Sequence, residues 1–147
     1  MNILTMLIHF EGEGIPVPDA KGFVKSQATG TILDVKTEGL SPEARIERVS
    51  GQASFNTMVF AQDGRFWEAG RVDFPGIGSH LIVETRHPGS SVDLPGGAAA
   101  GSISWTIIGG GGRFDGASGI VTGNFTARSD GRFFDYHLYK VLLPAGS

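Results

Sequence analysis

Along most of the chain, apolar and polar residues alternate with a period of two, the spacing that sends successive side chains to opposite faces of a strand. Eight segments carry this pattern: Ile3–Glu11, Gly30–Lys36, Gly51–Ala61, Arg65–Phe74, Ser79–Arg86, Gly101–Ile108, Gly119–Arg128 and Arg132–Leu143. Asp63-Gly64, between the third and fourth, is a hairpin signal because positive φ is accessible to both residues. Asp130-Gly131 turns the chain into the last segment, and "HPGSS" at 87–91 ends the fifth. One stretch, Leu40–Val49, carries helix-start residues: Ser41 as N-cap, then Pro42 and Glu43 in a first turn. It reads equally as a loop feeding a strand from Arg45. Turn signals every 8–12 residues or so match an all-β barrel or sandwich, built as a single domain over residues 1–147.

The chain holds 23 glycines in 147 residues, about twice the usual share of roughly 7%. Seven of them fall in "TIIGGGGRFDGASGIVTGNF", Thr106 to Phe125. A phosphate-binding loop would end in Gly-Lys-Ser/Thr and lead into a helix. Here Gly112 is followed by Arg113-Phe114, and "GIVTGNF" alternates like a strand. A flexible linker fits poorly with Phe114 and two apolar flanks. The remaining reading is a strand that kinks or bulges at Gly109–Gly112, turns at Asp115-Gly116 and leaves as a second strand. Such sharp bends let a small sheet close on itself.

On these residues the chain resembles the allene oxide cyclase-like and dirigent-like barrels. "ISWTIIGGGGRFDGASG" follows the "GGTGRFxGAxG" corner of that superfamily, with Gly111 where Thr is commoner. The similarity covers roughly Ser102 to Pro144; upstream only the strand order aligns. It implies an all-β, eight-stranded antiparallel closed barrel, calycin-like in outline, with a mostly apolar lumen and assembly as a homodimer or homotrimer. Members include cofactor-free cyclases and proteins that steer radical coupling. The corner itself carries no catalytic group, so it speaks to fold and not to function.

Composition narrows the chemistry. The formal charge of −3 and a pI near 5.7 argue against a nucleic-acid surface. The absence of Cys removes disulfides, thiolate metal sites and a Cys nucleophile. No His pair among His9, His80, His87 and His137 has metal-ligand spacing, so no metal is expected, and the resemblance to cofactor-free cyclases implies no cofactor. No apolar run approaches the roughly 20 residues of a membrane span. The opening Met1–Gly14 lacks a basic n-region and a small-residue cleavage site, and reads as a first strand of a soluble, cytoplasmic chain.

The candidate catalytic residues lie on two strands. In the last segment Phe133, Asp135, His137, Tyr139 and Val141 share a face. There Asp-His-Tyr would present a base oriented by a carboxylate, with a phenol as acid or oxyanion donor; alternatively, this row faces outward. In Arg65–Phe74, Glu68 shares a face with Phe66 and Val72. Turned inward it would be a desolvated acid with a raised pKa; turned outward it would pair with a neighbouring Arg. Trp67 and Arg71 would form a cation–π pair on the other face. His80 is expected at the surface, with Leu81 and Val83 inside. Candidate ligand-binding residues are His9 at the lumen mouth, Asn56 and Met58 on one face of Gly51–Ala61, Phe66, and Trp105 with Ile103 and Ile107.

Two functions follow. One is a cofactor-independent isomerase or cyclase that holds a small hydrophobic molecule (polyketide-, oxylipin- or phenolic-like) in a reactive conformer. The other is a lipocalin-like carrier or steering barrel, whose cavity would hold no titratable group. A filled barrel working through an aromatic assembly face at Phe133, Phe134 and Tyr136 is a third.

Overall fold

The computed structural model describes residues 2–38, 49 and 51–144. Within them the alternation becomes nine strands: β1 Asn2–Pro16, β2 Phe23–Glu38, β3 Gln52–Gln62, β4 Arg65–Phe74, β5 Ser79–Thr85, β6 Gly89–Asp93, β7 Ala99–Gly111, β8 Ser118–Ala127 and β9 Arg132–Leu143. Every pairing is antiparallel, in the order β3-β2-β1-β9-β8-β7-β5-β4, and β3–β4 pairing closes the ring into an eight-stranded barrel. The ninth strand, β6, stands outside that count. It continues the place of β5 beyond Arg86–Pro88, pairing with the start of β4 and with Ala99–Ser102 of β7. The expected helix at Leu40–Val49 lies, Val49 apart, outside the described residues.

Three segments depart from the sequence reading. β2 begins at Phe23, seven residues before Gly30, because its inward positions Ser26, Ala28 and Gly30 are too small to announce a core strand. Phe10 of the neighbouring strand takes the space: a Cβ on Gly30 would lie 2.5 Å from its ring. "GSSVD" at 89–93, expected as part of a turn, is β6. The bulge in β7 falls at Ile108, where Ile82 faces Gly109 and Val83 faces Ile107.

The quoted glycines do bend the chain at the foot of the barrel. After Gly112, at φ 65°, a single 3-10 turn (Gly112–Phe114) points Phe114 into the base, edge-to-face with Phe74 at 5.2 Å. The Arg113 N–H donates to Ser79 Oγ over 2.9 Å, and Ser79 Oγ donates to the Ile77 carbonyl over 2.9 Å, tying this corner to the β4–β5 connection. Above the plug, Leu4, Met6, Val72, Leu81, Ile107, Val121, Tyr139 and Val141 fill the lower lumen and are fully or almost fully buried. Other glycines seat aromatic rings: a Cβ on Gly101 would lie 2.4 Å from the Phe125 ring, and one on Gly123 2.8 Å from the His137 ring.

Gly119 combines φ 132° with a Cβ position 2.0 Å from the Lys140 carbonyl, whereas a Cβ on Gly109 meets nothing within 4 Å. We therefore expect Gly119→Ala to destabilise by more than about 2 kcal/mol. Gly109→Ala should stay within about 0.5 kcal/mol of the parent in urea unfolding; equal effects would contradict this account of the corner.

Candidate active site

The inward rows of β3, β4, β7 and β9 meet halfway up the barrel. The Asp63-Gly64 turn, with φ 53° and 75°, pairs Gln62 with Arg65 and so sets Val59 opposite Glu68. Directly paired residues share a face, so Glu68 points inward together with Val59, Thr57 and Phe55. β9 contributes Phe133, Asp135, His137 and Tyr139 to the same interior.

Two hydrogen-bonded groups result. Thr57 Oγ1 donates to Glu68 Oε2, and the Trp105 indole N–H donates to Glu68 Oε1 over 3.1 Å. On the other side of the interior, His137 Nε2 lies 2.8 Å from Asp135 Oδ2 and its Nδ1 lies 3.0 Å from the Tyr139 hydroxyl. Burial, reinforced by the charges of Asp135 and Glu68, raises the Tyr139 phenol well above its ordinary pKa, so it keeps its proton. The arrangement that satisfies each group has Tyr139 O–H donating to Nδ1 and Nε2–H donating to Asp135. The His137 ring is wholly buried, stacked on Phe55 at 5.4 Å and met edge-on by Trp105 at 4.8 Å. Asp135 Oδ1 is buried and has no hydrogen-bond partner.

Above these groups the lumen is hollow. A cavity of about 380 Å³ opens at the end carrying the β1–β2, β3–β4 and β8–β9 turns. Its wall is hydrocarbon and aromatic (Val24, Val59, Phe66, Ile103, Phe125 and Phe133 among others), and it also presents Ser26, Glu68 and Asp135. The size falls within the usual range of small-molecule sites. Burial pushes the Glu68 carboxyl up from 4.5 to about 7; the Thr57 and Trp105 donors and nearby His137 oppose the rise, Asp135 adds to it, and burial prevails. A carboxyl that exchanges its proton near neutrality and borders an apolar cavity can act as general acid or base.

No protein-family model matches the chain, and neither does any curated protein or solved structure.

The four expected catalytic residues are thus brought together, but in two tiers. Glu68 and Asp135 border the cavity, while His137 and Tyr139 sit behind Asp135 and do not line it. Phe66 lines the cavity, and Trp105 stands behind Glu68 as its donor. Three expected ligand contacts are corrected. Asn56 and Met58 face outward, since the hairpin register that turns Glu68 inward turns them out. His9 is on the outer surface, stacked on Tyr136 at 4.6 Å, because β1 buries Ile8 and Phe10.

Phe133 is likewise inside, 6.0 Å from Phe55, so only Phe134 and Tyr136 of the expected aromatic patch remain exposed. Outside, Trp67 packs at 6.0 Å from Phe60, and Arg71 pairs with Asp73 at 2.7 Å instead of forming the expected pair with Trp67. Leu81 and Val83 are buried, as expected. Thr57, which holds Glu68, and Ser26, which lines the cavity, are interior polar residues that the alternation alone does not single out. Among the described residues no cluster of three or more His, Cys, Asp or Glu is placed to hold a metal ion, and no helix is long and apolar enough to cross a membrane.

Because the folded protein holds the Glu68 proton more tightly than the unfolded chain, this group's stabilising contribution is complete below pH 4.5 and declines as pH rises through about 7. The stability of the parent relative to Glu68→Gln should therefore fall by roughly 3 kcal/mol between pH 4 and 8. A difference that is constant across this range would show that Glu68 is not desolvated.

Proposed function

We propose that this barrel is a cofactor-independent isomerase or cyclase, in which Glu68 moves a proton on a small hydrophobic molecule held in the cavity. The observation that carries the reading is a buried carboxyl at the floor of an apolar chamber, where burial pushes its pKa up to about 7. A carrier has no need of such a group. The resemblance of the Gly109–Gly119 corner to allene oxide cyclase-like barrels supports only the closed barrel in which the chamber sits; the chemistry is argued from Glu68 alone.

In this mechanism the apolar wall holds the substrate in one conformer, and part of the barrier is removed by orientation alone. Deprotonated Glu68 accepts a proton from carbon next to a carbonyl, then returns it at another position, so no electrons are gained or lost and no co-reactant is consumed. Thr57 follows the change: when the carboxyl takes the proton on Oε2, the hydroxyl accepts where it had donated. Trp105 keeps the carboxyl aimed. His137 and Tyr139 are positioning residues that hold Asp135.

An enolisable apolar ketone, 2-tetralone, tests the chemistry. In deuterated buffer the protein should accelerate exchange of the protons next to the carbonyl, followed by NMR, with a rate that rises as pH passes about 7 and the base form accumulates. Glu68→Gln should lower the rate by about 10²–10⁴-fold. Tetralone that binds without exchange above the buffer rate would favour the carrier reading.

A further inference from the structure

The cavity's polar inventory specifies more than an apolar occupant. Both oxygens of Glu68 already accept hydrogen bonds, from Thr57 and Trp105. One oxygen of Asp135 is engaged by His137, while Oδ1 is buried and unpartnered. An acceptor left in this state costs free energy that a donor brought by a ligand removes, and more so at a charged group. Asp135 borders the cavity, so a small turn of its carboxyl would bring Oδ1 to a donor carried by the occupant. An anionic head group would set a further negative charge beside two carboxyls, and a cation would lose its hydration in a hydrocarbon throat.

We infer that the cavity selects an uncharged, apolar ring compound bearing a hydroxyl at its buried end, a phenol or an enol, which donates to Asp135 Oδ1. This deepens the proposed function and rests on the same chamber, but it assigns substrate recognition to Asp135 and proton transfer to Glu68. The hydroxyl fixes which end of the molecule enters first and which carbon meets Glu68. His137, locked between Tyr139 and Asp135 and seated against Gly123, holds the accepting carboxylate in place.

Three probes of one shape separate donor from size: 2-naphthol, 2-methoxynaphthalene and naphthalene, titrated calorimetrically against the full chain. The naphthol should bind about tenfold more tightly than either of the others, the ratio expected for one hydrogen bond to a charged acceptor. In Asp135→Asn, the amide carbonyl accepts from His137 and its NH₂ group takes the place of the free acceptor. The preference for naphthol over the ether should then fall below about threefold, while Glu68→Gln keeps it. Equal affinities of the parent for naphthol and ether would overturn the inference, whether or not Asp135→Asn folds, and so would failure of all three to bind. Loss of naphthol selectivity with tetralone exchange intact removes only this assignment. Retained selectivity without exchange removes only the catalytic one.

Discussion

The desolvation of Glu68 depends on a barrel that is filled below and hollow above. Under the carboxyl, Phe74, Phe114, Tyr139 and the aliphatic side chains of the lower lumen exclude water. Above it, the walls are hydrocarbon but space remains. A barrel packed throughout would bury the carboxyl without access, and an open trough would hydrate it and return its pKa to the ordinary range. Two donors, Thr57 and Trp105, favour the charged form, yet burial outweighs them. The balance leaves the group able to change protonation state near neutral pH.

Closure makes that balance available. Because the sheet has no free edge in its ring, each strand has an inside and an outside, and a shift of one residue would exchange them. The glycines serve this geometry in two ways. At the foot they permit the bend that lets Phe114 plug the base. Within the strands they leave space for rings from neighbouring strands, and Gly123 gives His137 its seat. The high glycine content thus reflects aromatic packing as much as turning.

Much of this was legible in the chain. The period-two pattern located eight strands, and the Gly109–Gly119 corner indicated the closed all-β ring. The row Asp135, His137, Tyr139 was visible because all three alternate with bulky residues on a long strand. On Gly51–Ala61 the expected ligand face, with Asn56 and Met58, is the outer one, and the Asp63-Gly64 turn explains why: if Glu68 points inward, hairpin register sends Val59 and Thr57 inward and Asn56 and Met58 out. The start of β2 was hidden because its inward residues are small, their volume supplied by Phe10 across the ladder. The outward placement of His9 is written in β1 itself: Leu4, Met6, Ile8 and Phe10 form its wholly apolar, buried face, and His9 lies with Thr5 on the other.

If burial holds a proton on Glu68 up to neutral pH, infrared difference spectroscopy across a pH titration observes that proton directly. A protonated-carboxyl band should disappear with a midpoint near pH 7 and be missing from Glu68→Gln. A Glu68 carboxylate signal already fully developed at pH 5.5 would contradict this expectation.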